Sequence, residues 1–206
     1  MKRITKSGLM FLLLTGGLFI FSCSGKEVKA EQIKTTTSVS ILKNGNFDGL
    51  KVVKHYPNYS KVTSDLVKDV EANGYWQVLT GESDFTGEAT NVVENGVFKI
   101  IITNPGKEVY SVQLIQVPTP IKFGKKYTVK FDAKADAPRT IMSKITKVGD
   151  DWAAYSGERV FDITTEFKTY SYSFKSQATD PVARFEFNFG KDKTTTYIAN
   201  VSIVEE

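Results

Sequence analysis

Period-two alternation of apolar and polar residues recurs along most of the chain. Tyr127, Val129, Phe131 and Ala133 alternate with Thr128, Lys130 and Asp132. Tyr170, Tyr172 and Phe174 alternate with Ser171 and Ser173, and Phe185, Phe187 and Phe189 with Glu186 and Asn188. Such alternation predicts half-buried strands, because successive side chains point to opposite faces of a sheet. Further strands are predicted over Tyr75 to Thr80, Glu88 to Val93, Val97 to Thr103, Val109 to Val117, Thr140 to Lys147, Arg159 to Asp162 and Thr195 to Val204. Turn dipeptides separate them, among them Asn95-Gly96, Pro105-Gly106, Ala137-Pro138 and Asp180-Pro181. Many short strands at this spacing predict an all-β fold, a two-sheet antiparallel β-sandwich or jelly roll. The only helix candidate is Ser64 to Asn73, with Ser64 as N-cap; a loop fits that segment nearly as well.

The N-terminus follows a different pattern. Lys2, Arg3 and Lys6 precede a nearly unbroken apolar run from Leu9 to Phe21. A basic start and an apolar run of about 13 residues read as an export signal, too short to span a bilayer comfortably. The sole Cys follows, in Ile20-Phe21-Ser22-Cys23-Ser24-Gly25. This segment resembles the bacterial lipobox, although Phe21 is bulkier than the residue usual there. The resemblance implies cleavage before Cys23 and lipidation of that residue, with several acyl chains giving a stable anchor. A plain signal peptide is the alternative. The expected organisation is a signal over residues 1–22, a lipidated Cys23 and Lys/Glu/Thr/Ser-rich tether over 23–39, and one domain over 40–206. That places the protein in the bacterial cell envelope, lipid-anchored and outside the cytoplasm.

Charge then changes meaning. The full chain carries 27 basic and 23 acidic side chains, net +4. The 22 residues before Cys23 hold three basic groups and no acid, so the remainder has 24 basic against 23 acidic, net +1. A nucleic-acid partner is therefore not expected.

The order of several short motifs resembles one family. Asn44-Gly45-Asn46-Phe47-Asp48, then Trp76, then Phe98 to Gly106 and Tyr110 to Leu114 follow the pattern of carbohydrate-binding modules of the 4/9 type. Gly124 to Ala135, Pro138-Arg139 and Tyr197 to Ile203 continue it. The resemblance covers roughly Ser40 to Glu206. It implies a jelly roll with a glycan cleft in which Gln113, Asn188, Arg139, Trp152, Tyr155 and Tyr110 take part. Each has a structural alternative: a surface ion pair for Arg139, sheet packing for Tyr155 and Tyr110, a solvated exterior for polar strand residues. Trp76, at the start of an alternating strand, is expected in the core.

The resemblance also implies a structural Ca2+, an ion that needs six to eight oxygen ligands. Asn46 and Asp48 match its first half. Ala199 and Asn200 stand where the family carries an acidic pair, which weakens the site. No cofactor is required, and calcium binding stays open. The segment from Leu50 to Gly74 is longer than usual for the family and is expected to cover one end of the sandwich or to contact a partner.

No catalytic constellation stands out. His55 is the only His, so nucleophilic triads and His-rich metal sites lack material. Glu82 and Asp84 read as solvated rather than as a glycosidase pair. The sequence therefore points to a non-catalytic lipoprotein that captures β-linked oligo- or polysaccharide at the cell surface. Separate glycoside hydrolases or other surface proteins would be its neighbours. The alternative is a structural or assembly lipoprotein that uses the same fold for protein contact.

Overall fold

The computed structural model describes residues 39–81 and 86–206. The signal, Cys23, most of the tether, and Glu82 and Asp84 lie outside the described residues.

In chain order the elements are β1 (His55–Tyr56), α1 (Ser64–Ala72), β2 (Trp76–Thr80), β3 (Glu88–Glu94) and β4 (Val97–Asn104). There follow β5 (Val112–Gln116), β6 (Lys126–Ala135), β7 (Arg139–Thr146) and β8 (Arg159–Ile163). The last three are β9 (Lys168–Lys175), β10 (Arg184–Asn188) and β11 (Thr196–Glu205). One sheet has the order β1-β2-β5-β10-β7-β8 and the other β3-β4-β11-β6-β9. All pairings are antiparallel except β1 with β2. This is the expected two-sheet β-sandwich, a jelly roll.

The core lies between the sheets, where each strand's apolar parity meets. Phe185 and Phe187 of β10, Phe189 just after it, Phe131 of β6 and Trp76 of β2 are all fully buried. Phe131 and Phe187 meet edge-on with ring centroids 4.8 Å apart, joining the two layers. Trp76 is a core residue as expected, and its Nε1 donates to the Asn44 carbonyl over 2.7 Å.

Three local details depart from the predicted elements. Helix α1 forms, but its N-cap is Thr63, whose side chain accepts from the Leu66 N–H, rather than Ser64. The segment Val109 to Val117 is not one strand: Val109–Ser111 is a 3-10 turn and the strand begins at Val112. In β11 the register against β6 shifts between Ala199 and Ser202, with Asn200 at φ 52°. That bulge switches the inward parity from Ile198 to Val201 and Ile203, keeping both halves of the strand apolar toward the core.

The Leu50 to Gly74 segment is fixed to the sandwich. Asn91 Nδ2 donates to the Val53 carbonyl and its Oδ1 accepts the Val53 N–H, a complete substitute for strand pairing. Val70 of α1 and Tyr56 of β1 pack on Leu79 and Ile115, with Leu66 and Tyr59 beside them. Those two aliphatic residues lie on the outer face of β2 and β5, opposite the core. The segment thus covers the β2 side of the six-stranded sheet. Among the described residues no helix is long and apolar enough to cross a membrane.

Candidate functional site

The uncovered half of that outer face is built by parity. On β10 the aromatic residues point inward, so Arg184, Glu186 and Asn188 share the opposite face. On β5 Val112 and Leu114 join the core, leaving Gln113 and Ile115 outward. On β7 Ile141 and Ile145 point inward, leaving Met142, Lys144 and Thr146 outward. Strand register lines these up in rows. Gln77, Ile115, Glu186 and Lys144 form one row; Leu79, Gln113, Asn188 and Met142 form the next. Arg184 stands opposite Thr146 in a third.

Over β5, β10 and β7 the face opens into a cavity of about 380 Å3. Its floor includes Gln113, Lys144, Arg184 and Glu186; Tyr110 and Trp152 stand at its sides. Asn58, from the segment that covers the β2 side, closes it there. The volume lies at the small end of the roughly 300–1,000 Å3 usual for ligand clefts. A short piece of chain fits such a space better than a long one.

The loops that carry the two aromatics depend on glycine and on strained backbone. Gly106 has φ 67°, and a Cβ there would lie 2.2 Å from that of Ser111 at the end of the 3-10 turn. A Cβ on Gly190 would lie 2.0 Å from the Glu108 carbonyl oxygen, so the Tyr110 turn packs directly on the chain leaving β10. Trp152 sits at φ 51°, with its carbonyl accepting from Thr146 Oγ1 over 2.9 Å. A left-handed non-glycine backbone costs about 1–3 kcal/mol, offset here by fixed surroundings. The Arg184 guanidinium lies 4.9 Å from the Trp152 ring centroid, in cation–π range.

The floor is a connected polar network. Gln113 Nε2 donates to Asn188 Oδ1 over 2.7 Å, and Asn188 Nδ2 donates to Glu186 Oε1 over 3.2 Å. Glu186 Oε2 accepts from Arg184 Nε over 2.8 Å and also from Arg184 Nη2. Lys144 Nζ stands 3.5 Å from Glu186 Oε1 and 3.1 Å from the exposed Glu158. Beside it, Tyr59 donates its hydroxyl to Gln77 Oε1 over 3.0 Å, and burial pushes that phenol well above the usual tyrosine range.

Of the six residues expected at the cleft, the structure brings together Gln113, Trp152 and Tyr110, with Asn188 directly behind Gln113. Arg139 is not there. It shares the inward parity of Ile141, and its guanidinium donates to the carbonyls of Phe189 over 2.6 Å and Thr194 over 2.7 Å. Those bonds tie down the chain between β10 and β11, and burial lowers its pKa. Tyr155 is also elsewhere: its ring packs partly on the core and its hydroxyl donates to Asp180 Oδ2 over 3.1 Å. Ser111, at the end of the 3-10 turn, is fully buried rather than part of the face that carries Gln113.

Sequence reasoning missed Lys144, Arg184 and Glu186. The signal was present: Arg184, Glu186 and Asn188 are three long polar residues on one face of a strand whose other face is wholly aromatic. Only their convergence with Lys144 required the pairing of β10 with β7.

The residues expected to begin a calcium site are hydrogen-bonded to one another in this structure. Asn46 Nδ2 donates to Asp48 Oδ2, so that carboxylate oxygen already holds an amide N–H. Asn200 Nδ2 donates to Asp132 Oδ2 over 2.7 Å. Among the described residues no group of three or more His, Cys, Asp and Glu is placed to hold a metal.

Comparison with known proteins agrees with this architecture. The family described as carbohydrate binding domain, of the 4/9 type, matches residues 39–195. The chain belongs to that family of carbohydrate-binding modules. A solved CBM4 structure is 26% identical, covering 64% of this chain and 86% of its own, with a TM-score of 0.60. The second N-terminal cellulose-binding domain of β-1,4-glucanase C from Cellulomonas fimi shares the fold at 17% identity. It covers 84% of this chain and 97% of its own, with a TM-score of 0.57. No curated protein matches the chain.

Proposed function

We propose that the protein is a non-catalytic, lipid-anchored glycan-binding protein that captures β-linked oligo- or polysaccharide at the surface of a bacterial cell. The observation that carries this reading is the cavity where Gln113, Tyr110 and Trp152 meet over β5, β10 and β7. Aromatic rings offer faces to sugar C–H groups, and planar amides pair with hydroxyls. The non-catalytic part is supported by the carboxylates: Glu186 is the one lining the cavity among the described residues, and both its oxygens are engaged. Glycoside hydrolysis uses two. Reversible capture needs only a Kd of about 1 µM to 1 mM, roughly −8 to −4 kcal/mol.

Isothermal titration of the full-length protein against glucan, xylan, mannan and chitin oligomers tests the reading. Heat with one of them is expected; none with any removes glycan capture. The anchor rests on the lipobox-like segment ending in Cys23, and Cys23→Ser is expected to abolish labelling by radioactive palmitate in growing cells. Labelling that survives the substitution overturns the anchor.

A second reading, protein contact through the same face, draws on the Leu50 to Gly74 segment, which occupies the β2 side of the face. It is the weaker of the two, because the same segment leaves the polar half open and contributes Asn58 to its wall.

A further inference from the structure

The cavity floor holds more hydrogen-bond donors than its own acceptors use. Among the described residues, three buried side-chain polar atoms have no partner: Tyr56 Oη, Gln77 Nε2 and Arg184 Nη1. Of the three residues, only Arg184 lines the cavity. Its side chain is 5% exposed, and its Nε and Nη2 are both committed to Glu186 Oε2. Nη1 is left as a charged donor, buried and unpaired, a state that native proteins rarely leave without a use.

The neighbouring charges point the same way. Lys144 and Arg184 line the cavity with Glu186 as the one carboxylate among its lining residues, and the second cation is balanced only by Glu158 at the rim. Both Glu186 oxygens are occupied from within the protein, so that carboxylate has little left to offer a ligand. Lys144 is 15% exposed and carries three donors, of which one meets Glu158 at the rim. Glu158 is 55% exposed, and such a solvated pair holds weakly enough to be exchanged.

A neutral sugar hydroxyl both donates and accepts, and brings no charge to these cations. A carboxylate or sulfate only accepts, and it matches a guanidinium edge backed by an ammonium. We propose that the cavity selects an anionic sugar unit, a uronate or a sulfated ring, seated against the Arg184 guanidinium and Lys144 with Trp152 and Tyr110 at its sides. This deepens the glycan-binding reading and rests on it.

The test is titration of the full-length protein with three acidic oligosaccharides, each beside its carboxyl-reduced neutral counterpart: oligogalacturonate, oligomannuronate and glucuronic-acid-bearing xylo-oligosaccharide. A sulfated galactan oligomer, beside its desulfated form, is a fourth pair. At least one acidic member is expected to bind about tenfold more tightly than its neutral partner, with the preference shrinking as NaCl rises from about 0.05 to 0.5 M. The pair that shows it separates carboxylate from sulfate. Lys144→Gln and Arg184→Lys are each expected to cut that preference at least about fivefold, with melting curves confirming that both variants fold. Equal binding of acidic and neutral members overturns the anionic selection and leaves glycan capture standing. So does a preference that both variants retain. No binding of any oligosaccharide, acidic or neutral, overturns both.

Discussion

Arg184 Nε donates to Glu186 Oε2 over 2.8 Å, two residues along the same face of β10. Both side chains are nearly inaccessible, at 5% and 1% exposure. Two charges taken out of water repay their desolvation only while both are present. Glu186→Gln leaves the guanidinium without its counter-charge and is expected to cost about 3–5 kcal/mol. The double change Arg184→Met with Glu186→Leu removes both charges and is expected to cost far less. Urea unfolding of the single and double variants measures the difference. A double variant as unstable as the single one would refute this account.

The cleft placement of Gln113 and Trp152 predicts weaker glycan binding on truncation. Gln113→Ala removes a planar amide and leaves Asn188 Oδ1 without its donor; Trp152→Ala removes an aromatic wall and the cover over Arg184. Each is expected to weaken binding about tenfold or more, the equivalent of 1–3 kcal/mol. Titration against whichever oligosaccharide the wild type binds decides it. Unchanged affinity in both variants places the site elsewhere.

Arg139 predicts the converse. Its guanidinium holds the carbonyls of Phe189 and Thr194, so Arg139→Met orphans buried acceptors and is expected to cost about 2–4 kcal/mol. Glycan affinity, measured well below the lowered melting temperature, should stay at the wild-type value. Lost affinity in a variant of normal stability would return Arg139 to the binding site.

His55 gives a pH dependence. Asn91 Oδ1 accepts the Val53 N–H, which turns Nδ2 toward His55 Nε2 at 3.1 Å. An amide N–H can only donate, so that ring nitrogen must be the acceptor of a neutral imidazole. Desolvation lowers the His55 pKa below its ordinary value of 6.5. The unfolded chain therefore binds the proton first, and the contribution is present above about pH 6.5 and fades as pH falls through the folded-state value. The ring is otherwise exposed, so the effect is small. Thermal melts from about pH 7.5 to 5 are expected to fall more steeply for wild type than for His55→Gln. Parallel curves would show that Asn91 does not select the neutral ring.

Alternation alone gives the faces. Phe185, Phe187 and Phe189 turned inward mean that Arg184, Glu186 and Asn188 turn outward, because strand side chains alternate with a period of two. The same rule, applied strictly, places Arg139 with Ile141 in the interior; the resemblance to a family drew it to the cleft instead. Parity broke down where the backbone left the regular strand. The 3-10 turn buried Ser111, and the bulge at Asn200 shifted the last strand by one residue.

What the sequence determined by itself was the architecture: which residues face the core, where the turns fall, and that a β-sandwich results. These follow from local chemistry, since alternation and turn residues act over a few positions. The site was decided only by tertiary structure. Gln113 meets Asn188 across 75 residues of chain, and Asn58 closes a cavity whose other walls come from four later segments. Whether the Leu50 to Gly74 segment would cover the polar half of the face or the apolar one depended on Leu79 and Ile115 standing as diagonal neighbours on adjacent strands. That adjacency is a consequence of strand register, which no local pattern encodes.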